Sequence, residues 1–218
     1  MLYVITNISQ AKRNSERVNV YLNGAFWLGI SKNDMVALKL IKEKVLTQEE
    51  KEKIEAVAAS GKLLERAYRF VALRPRSIAE LKSYLVYRKK YTEEETQQVI
   101  EKLTDLGMLS DERFAEWYAT YKLSSGTQGH NKIKSELLAK GVSLKIITNV
   151  LSKHSEDPTN AADQGEKLKV FAQKLLKTVK AKDAYDLKQK VTNRLLGRGF
   201  SYSEVKAVLK ELIDSQKV

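Results

Sequence analysis

The sequence predicts a mainly α-helical fold, an elongated tandem array of three three-helix units behind a small N-terminal β-hairpin or meander. The first observation is a pattern that occurs three times, in which a residue that ends one helix is followed by an apolar residue and then by a Thr or Ser cap. Its copies are Lys90-Tyr91-Thr92, Gly141-Val142-Ser143 and Gly199-Phe200-Ser201. Their spacing of 51 and 58 residues fits three helices better than one helical hairpin. A chain with only two prolines and ten glycines also favours helices.

The N-terminal segment, residues 1–46, has the composition of a β-meander followed by a short helix. Residues 2–8 and 17–30 are rich in β-branched and aromatic side chains, and Asn23-Gly24 is a strong hairpin signal. The basic segment 12–17 supplies the earlier turn. Ser31 is expected to cap a helix that continues to about Lys42. Three strands are too few for independent stability, so we expect the sheet to pack on the following helices.

The first helical unit is predicted at residues 47–109. Thr47 begins a long helix, which Gly61-Lys62 is expected to interrupt and Arg74-Pro75-Arg76 to end. Ser77, with Glu80 three residues later, caps the second helix, and Thr92 caps the third.

Two further units follow, at residues 110–156 and 157–218. Ser110 begins the second unit, whose first helix loosens at residues 124–127 before a second helix that ends at Gly141. Asp157-Pro158, an N-cap followed by proline at the first helical position, begins the third unit. Its later helices are expected at residues 183–196 and 201–214.

Composition argues against several classes of protein. The chain has no cysteine, and its two histidines, His130 and His154, have no carboxylate at ligand spacing. Gly61-Lys62 lacks the other residues of a phosphate-binding loop. No apolar segment approaches the length of a membrane span. We therefore expect a cytoplasmic, monomeric protein that is not an enzyme and that has no cofactor, no metal and no membrane partner.

The charge points instead to an anionic partner, since the formal net charge is +12. Good solubility alone would account for scattered charges. However, basic residues recur on the second helix of every unit and at the corner that precedes it, and similar units would direct these charges alike. We expect a nucleic-acid or filament-binding face formed by Arg74, Arg76, Arg88, Lys89, Lys132, Lys134, Lys190, Arg194 and Arg198.

Residues 106–115, Leu-Gly-Met-Leu-Ser-Asp-Glu-Arg-Phe-Ala, resemble a characteristic segment of the regulatory protein RecX family. Ser77-Ile78-Ala79-Glu80-Leu81 upstream and Lys140-Gly141-Val142 downstream extend the resemblance, which covers about residues 62–216. Residues 1–60 resemble the N-terminal extension of longer members. One departure is Lys90, where the family usually has glycine, so the end of that helix is expected to be less tightly turned.

The resemblance implies a protein that binds RecA and lies in the groove of the RecA–DNA filament. It implies suppression of RecA ATPase and strand exchange, and an effect on filament stability in recombination and DNA repair. Weak, salt-dependent binding to DNA is expected in addition to RecA binding. The alternative is a helix-turn-helix-like DNA-binding protein, or an RNA-associated protein, without RecA involvement.

Overall fold

The structure, a computed structural model, describes residues 2–12 and 14–214. The strands are β1 (Tyr3–Gln10), β2 (Arg17–Leu22), β3 (Ala25–Ser31) and β4 (Val45–Leu46). The helices are α1 (Lys32–Ala37), α2 (Gln48–Ala72), α3 (Ile78–Ser83), α4 (Glu93–Asp105), α5 (Asp111–Ser124), α6 (His130–Ala139), α7 (Leu144–Glu156), α8 (Pro158–Thr178), α9 (Ala184–Gly197) and α10 (Tyr202–Asp214). A π-helical turn, Tyr84–Arg88, continues α3. The fold is therefore mainly helical behind a small antiparallel sheet, as predicted.

The sheet has one strand more than the predicted three-stranded meander. Its order is β3-β2-β1-β4, and β4 pairs antiparallel with β1 through Tyr3 opposite Leu46. A strand of two residues has no alternating pattern, so the sequence gives no signal for it. Helix α1 ends at Ala37, about five residues earlier than expected. The turn predicted at residues 12–17 includes residue 13, which lies outside the described residues.

Helix α2 holds the sheet against the helical part of the chain. The side chain of Thr47 accepts a hydrogen bond from the Glu50 amide, and the Glu50 carboxylate accepts one from the Thr47 amide, which completes a capping box. The helix continues through Gly61, so the predicted interruption was wrong. Packing overrides the low helix propensity of one glycine. Trp27 of β3 donates to Glu55 of α2 at 2.7 Å, which fixes the sheet on this helix.

Four separate hydrophobic clusters follow one another along the chain. The first lies under the sheet, and the others centre on Leu81 and Leu85, on Phe114 and Leu137, and on Val191 and Leu195. The accessible surface is 14009 Å², whereas a compact protein of this mass exposes about 10,200 Å². An array of small cores explains the difference. The limits predicted for the units stay a prediction, and residues 215–218 of the last one lie outside the described chain.

The second helices of the three units meet end to end. At the first joint, the C-terminal end of α6 lies against the N-terminal end of α3, where the Ser77 hydroxyl donates to the Lys140 carbonyl at 2.8 Å. At the second joint, the end of α9 lies against the start of α6: the Gly129 amide donates to the Arg198 carbonyl at 2.9 Å and the Asn131 amide to the Gly199 carbonyl at 3.0 Å. Each joint thus satisfies carbonyls that a helix end leaves unpaired.

Both joints require glycine for two reasons. Gly141 and Gly199 have φ values of +79° and +88°, which L side chains rarely adopt. A Cβ atom at Gly141 would also overlap the Cβ of Ala79, and one at Gly199 would overlap the backbone nitrogen of Lys132. Lys90 has the same left-handed conformation, at φ +63°, but it is exposed. The expectation of a less tightly turned helix end agrees with the π-helical turn that precedes Lys90, and a lysine fits there because its side chain is exposed.

The π-helical turn accommodates one extra residue in the first unit. In the second and third units the amide after the left-handed glycine bonds a carbonyl five residues earlier, Val142 to Leu137 and Phe200 to Leu195. In the first unit the equivalent bond joins Tyr91 to Leu85, six residues earlier. Leu85, Leu137 and Leu195 are all fully buried, so the core position is kept and the insertion is absorbed by the wider turn.

Candidate functional site

Two adjoining cavities form a groove between the sheet, α2 and the α3–π segment. Their volumes are about 630 and 380 Å³, and both are lined by Phe70 and Tyr84. Seven cationic side chains line the pair, and we call this concavity the arginine groove: Arg17, Lys62, Arg66, Arg69, Arg76, Arg88 and Lys140. The two carboxylates that line it are Glu65 and Glu80. The groove therefore carries a large positive excess.

Arginine is concentrated there out of proportion to its use in the chain. The whole sequence has ten arginines among 39 basic residues, and five of the ten line this groove. Lys62, Arg66 and Arg69 share one face of α2, while Arg17 comes from β2 and Arg88 from the π-helical turn. The fold thus assembles residues from three elements, together with Arg76 and Lys140, which lie between elements. The predicted face, based on the second helix of each unit, misses this concentration.

A column of two stacked rings, each with a cation over it, lies at the centre of the groove. The rings of Phe70 and Tyr84 stack at 4.1 Å with an interplanar angle of 3°. The Arg76 guanidinium lies 4.0 Å from the Phe70 ring centre, and the Lys89 ammonium lies 5.5 Å from that of Tyr84. Arg76 also donates to the Phe70 carbonyl at 3.3 Å. The Arg76 guanidinium is therefore held in place by a ring and a carbonyl oxygen rather than by an ion pair.

The acidic residues of the groove order its cations rather than cancel them. Glu65 pairs with both Arg17 and Arg69, each at 2.5 Å. Burial raises the pKa of Glu65, but the hydrogen bonds and charges of the two arginines outweigh it, so that the pKa is lowered overall. Burial and the nearby charge of Arg74 lower the pKa of Arg76. An anion at Arg76 would relieve that repulsion.

The structure brings three of the predicted site residues to this groove. Arg76 and Arg88 line it, and Lys89 lies over Tyr84. Arg88 and Lys89 are exposed, and within residues 2–12 and 14–214 none of the three forms an ion pair with an acidic side chain.

Two other predicted residues are engaged in ion pairs. Arg74 contacts Glu80 at 3.1 Å and lies 5.5 Å from the Trp117 ring centre, which makes it part of the first joint. Lys190 contacts Asp186 one helical turn away at 2.7 Å. Their charges are partly neutralised, so they are weaker candidates for contact with an anion than the unpaired cations.

The remaining predicted residues lie near the second joint and on α9. The backbones of Lys132 and Gly199 touch, which places Lys132 and Arg198 on the two sides of that joint. Lys134, Arg194 and Arg198 are exposed. In the described part of the chain these three cations and Lys132 form no ion pair. They make a second basic region, separate from the arginine groove.

Sequence reasoning missed most of the groove, namely Arg17, Lys62, Arg66, Arg69, Lys140 and the ring pair. A signal did exist on α2, because residues 62, 66 and 69 recur at helical spacing next to Phe70. Nothing in the sequence indicates that Arg17 would join them. Among the described residues, no cluster of His, Cys, Asp and Glu could hold a metal ion, and no helix has the length and apolarity needed to cross a bilayer.

These features define a basic helical-repeat protein, with three-helix domains in series behind a small sheet. Family models match three parts of the chain: the RecX N-terminal domain at residues 3–47, the second three-helix domain at 110–151 and the third at 162–209. A regulatory protein RecX from Clostridium perfringens is 32% identical over 222 residues, which cover 97% of each chain. One from Listeria welshimeri is 30% identical over 95% of this chain and 75% of its own. The chain belongs to the RecX family of regulatory proteins.

Solved structures agree on the fold. A crystal structure of regulatory protein RecX has a TM-score of 0.75 at 22% identity and covers 95% of this chain and 99% of its own. RecX from Lactobacillus salivarius has a TM-score of 0.61 at 25% identity, over 70% of this chain and 96% of its own.

Proposed function

We propose that this protein binds RecA and its DNA filament and lowers RecA ATPase, strand exchange and filament stability in recombination and DNA repair. It acts as a monomer in the cytoplasm, without catalysis and without a cofactor. Membership of a family of regulatory proteins supports the regulatory role, and the RecA partner is what the sequence resemblance implies.

The observation that carries the proposal is the placement of unpaired cations on an extended array. Arg88, Lys89, Lys132, Lys134, Arg194 and Arg198 are exposed on second helices that follow one another end to end. Such a surface can follow a helical filament and contact phosphates or acidic side chains at several points. Many weak contacts on one chain then act together through effective concentration.

The direct test is the rate of ATP hydrolysis by RecA on single-stranded DNA. We expect the rate to fall as this protein is added, and RecA to remain bound in a pull-down after nuclease treatment. An unchanged rate at saturating protein would remove the proposal. Recovery of RNA or DNA alone would favour the alternative, a nucleic-acid-binding protein without RecA.

A paired variant tests the basic region of the third unit. Arg194→Ala with Arg198→Ala should weaken filament binding, whereas melting should change little because exposed substitutions cost within about 0.5 kcal/mol each. The matched control is Lys206→Ala with Lys210→Ala, because both lysines are exposed on α10 and their replacement removes the same charge. Equal binding by the two variants would exclude the third unit from the interface.

A further inference from the structure

The arginine groove has a composition that the regulatory role does not require. Its cations come from β2, from α2, from the corner between α2 and α3, from the π-helical turn and from the residue after α6, so the N-terminal sheet is part of the site. It also differs from the basic region near the second joint, because it is concave and contains stacked rings. These features indicate a ligand with both negative charges and flat apolar faces.

We propose that the arginine groove binds single-stranded nucleic acid, with phosphates on its arginines and a base against the Arg76–Phe70–Tyr84 column.

The row of cations on α2 matches the spacing of a nucleic-acid strand. Lys62 and Arg69 are separated by seven residues, or about 10 Å along a helix that rises about 1.5 Å per residue. With about 3.4 Å between successive phosphates along a stacked strand, this row spans about three nucleotides. Arg76 and Arg88 continue the positive surface beyond the rings. A site of four or more nucleotides results, within the range of known single-strand binding modules.

Arginine suits this ligand better than lysine does. Its guanidinium donates two parallel hydrogen bonds to a phosphate and also presents a flat face for stacking. Arg76 is already held against Phe70, and Glu65 already orders Arg17 and Arg69. Because these side chains are fixed before binding, less conformational entropy is lost when an anion arrives.

The shape of the site argues against duplex DNA. Proteins read a duplex with a helix or ribbon that projects into its major groove. Here the charges line a concavity between the sheet and the helices and not a projecting element. An acidic protein segment would meet the charges but would leave the ring column unused.

The test is binding of the full chain to fluorescent oligo(dT) of about 16 nucleotides, an upper site size for one such module. The variant is Arg69→Ala with Arg88→Ala, because these exposed residues lie on the two sides of the ring column. We expect at least about tenfold weaker binding, and a slope of log affinity against log salt that is smaller by about 1.4, since each phosphate contact contributes about 0.7. The control variant, Lys206→Ala with Lys210→Ala, should bind like the parent.

Competition experiments distinguish single-stranded nucleic acid from other anionic ligands. An abasic strand of equal length should compete less well than oligo(dT), and Tyr84→Leu should remove that difference. Melting curves of each variant check that the fold is intact. Unchanged binding by the Arg69/Arg88 variant would overturn the site. Preference for duplex of the same length, or equal competition by polyglutamate, would overturn the ligand. No RecA is present, so failure here leaves the proposed regulation of RecA to its own test.

Discussion

The two joints of the array bring the same helix ends together but use different chemistry. At the first joint Glu80 accepts from Arg74 at 3.1 Å and from Lys140 at 2.9 Å, and Ser77 adds a side-chain hydrogen bond to the Lys140 carbonyl. At the second joint the hydrogen bonds that the Gly129 and Asn131 amides donate run from backbone to backbone. One contact geometry can therefore be stabilised by charged side chains or by the main chain alone.

This difference indicates which of the two joints should depend on salt concentration. Backbone hydrogen bonds between neutral groups depend weakly on salt, whereas ion pairs are screened by it. The side chains that form the first joint can also be substituted one at a time. The second joint is sensitive chiefly to anything that adds a side chain where two backbones touch.

The largest effect is expected from Phe114→Ala, which removes the core of the unit between the joints. Phe114 is fully buried, and loss of such a ring costs roughly 3 to 5 kcal/mol through the cavity left behind. Because α6 takes part in both joints, we expect both to loosen together. Thermal unfolding and amide hydrogen exchange would measure this; full protection of the first joint in the variant would contradict it.

The glycines give the sharpest comparison of the joints. Gly199→Ala should destabilise the protein by about 2 to 4 kcal/mol, from the left-handed conformation and from overlap with Lys132. Gly141→Ala should cost less, because its obstacle is the Cβ atom of Ala79 rather than backbone.

A second substitution separates the two cases. Ala79→Gly removes the overlap at the first joint. The double variant Ala79→Gly with Gly141→Ala should therefore lose less unfolding free energy than the two single variants lose together. Lys132→Gly should give no such rescue of Gly199→Ala, since the overlap there includes the backbone nitrogen. Urea unfolding of the four single and two double variants measures both cycles, and additivity in the first cycle would show that Ala79 does not limit the joint.

A smaller effect is expected from Glu80→Gln, which weakens the first joint alone. The variant leaves two partly buried cations without their carboxylate, at a cost of about 1 to 3 kcal/mol. The loss should shrink in concentrated salt, where the parent joint is already screened. Glu94→Gln, an exposed position on α4, is the control and should change the unfolding free energy by less than about 0.5 kcal/mol.

The smallest effects come from pH, and the two joints should respond in different ranges. Burial lowers the pKa of His130 at the second joint, opposed by Glu204 and reinforced by His154. A lowered histidine pKa means that the neutral form is favoured in the fold, so its contribution is present above about pH 6.5 and is lost as pH falls below that value. His130→Asn should remove this part of the pH dependence of the melting temperature.

At the first joint, burial raises the pKa of Glu80, but hydrogen bonds from Arg74 and Lys140 lower it by more. Its contribution is therefore present above the ordinary pKa of a glutamate, about 4.3, and is lost as pH falls further. Melting between pH 7 and 3 in parent and Glu80→Gln checks this; parallel curves below pH 4.5 would show that Glu80 does not stabilise the joint.

Local signals made most of the helical fold predictable. The Thr92 and Ser201 helix caps and the Asp157-Pro158 helix start are present as predicted. These features depend on residues within four positions of one another, so they can be recognised directly in the sequence. The fourth strand and the π-helical turn depend instead on tertiary pairing and on an inserted residue, and neither has a local signature.

The candidate site was less predictable for the same reason. Arg76, Arg88 and Lys89 were found because they lie at helix ends, where charge patterns are easy to recognise. Arg17 reaches the groove through the tertiary fold, where it pairs with Glu65, 48 residues away. Phe70 fits a core stripe by spacing, and only the stacking of Tyr84 and Arg76 on it indicates another use.

Lys90, in a left-handed conformation, determines at which end of the array a further unit could be added. A unit placed before the first one would need glycine at position 90, because the lysine side chain occupies the position through which the other joints close. At the opposite end, Asp183 and Tyr185 leave the start of α9 exposed, the same surface that α3 and α6 offer to their neighbours. Duplication of a unit could therefore lengthen this architecture beyond α9 without altering an existing residue, but not ahead of α3.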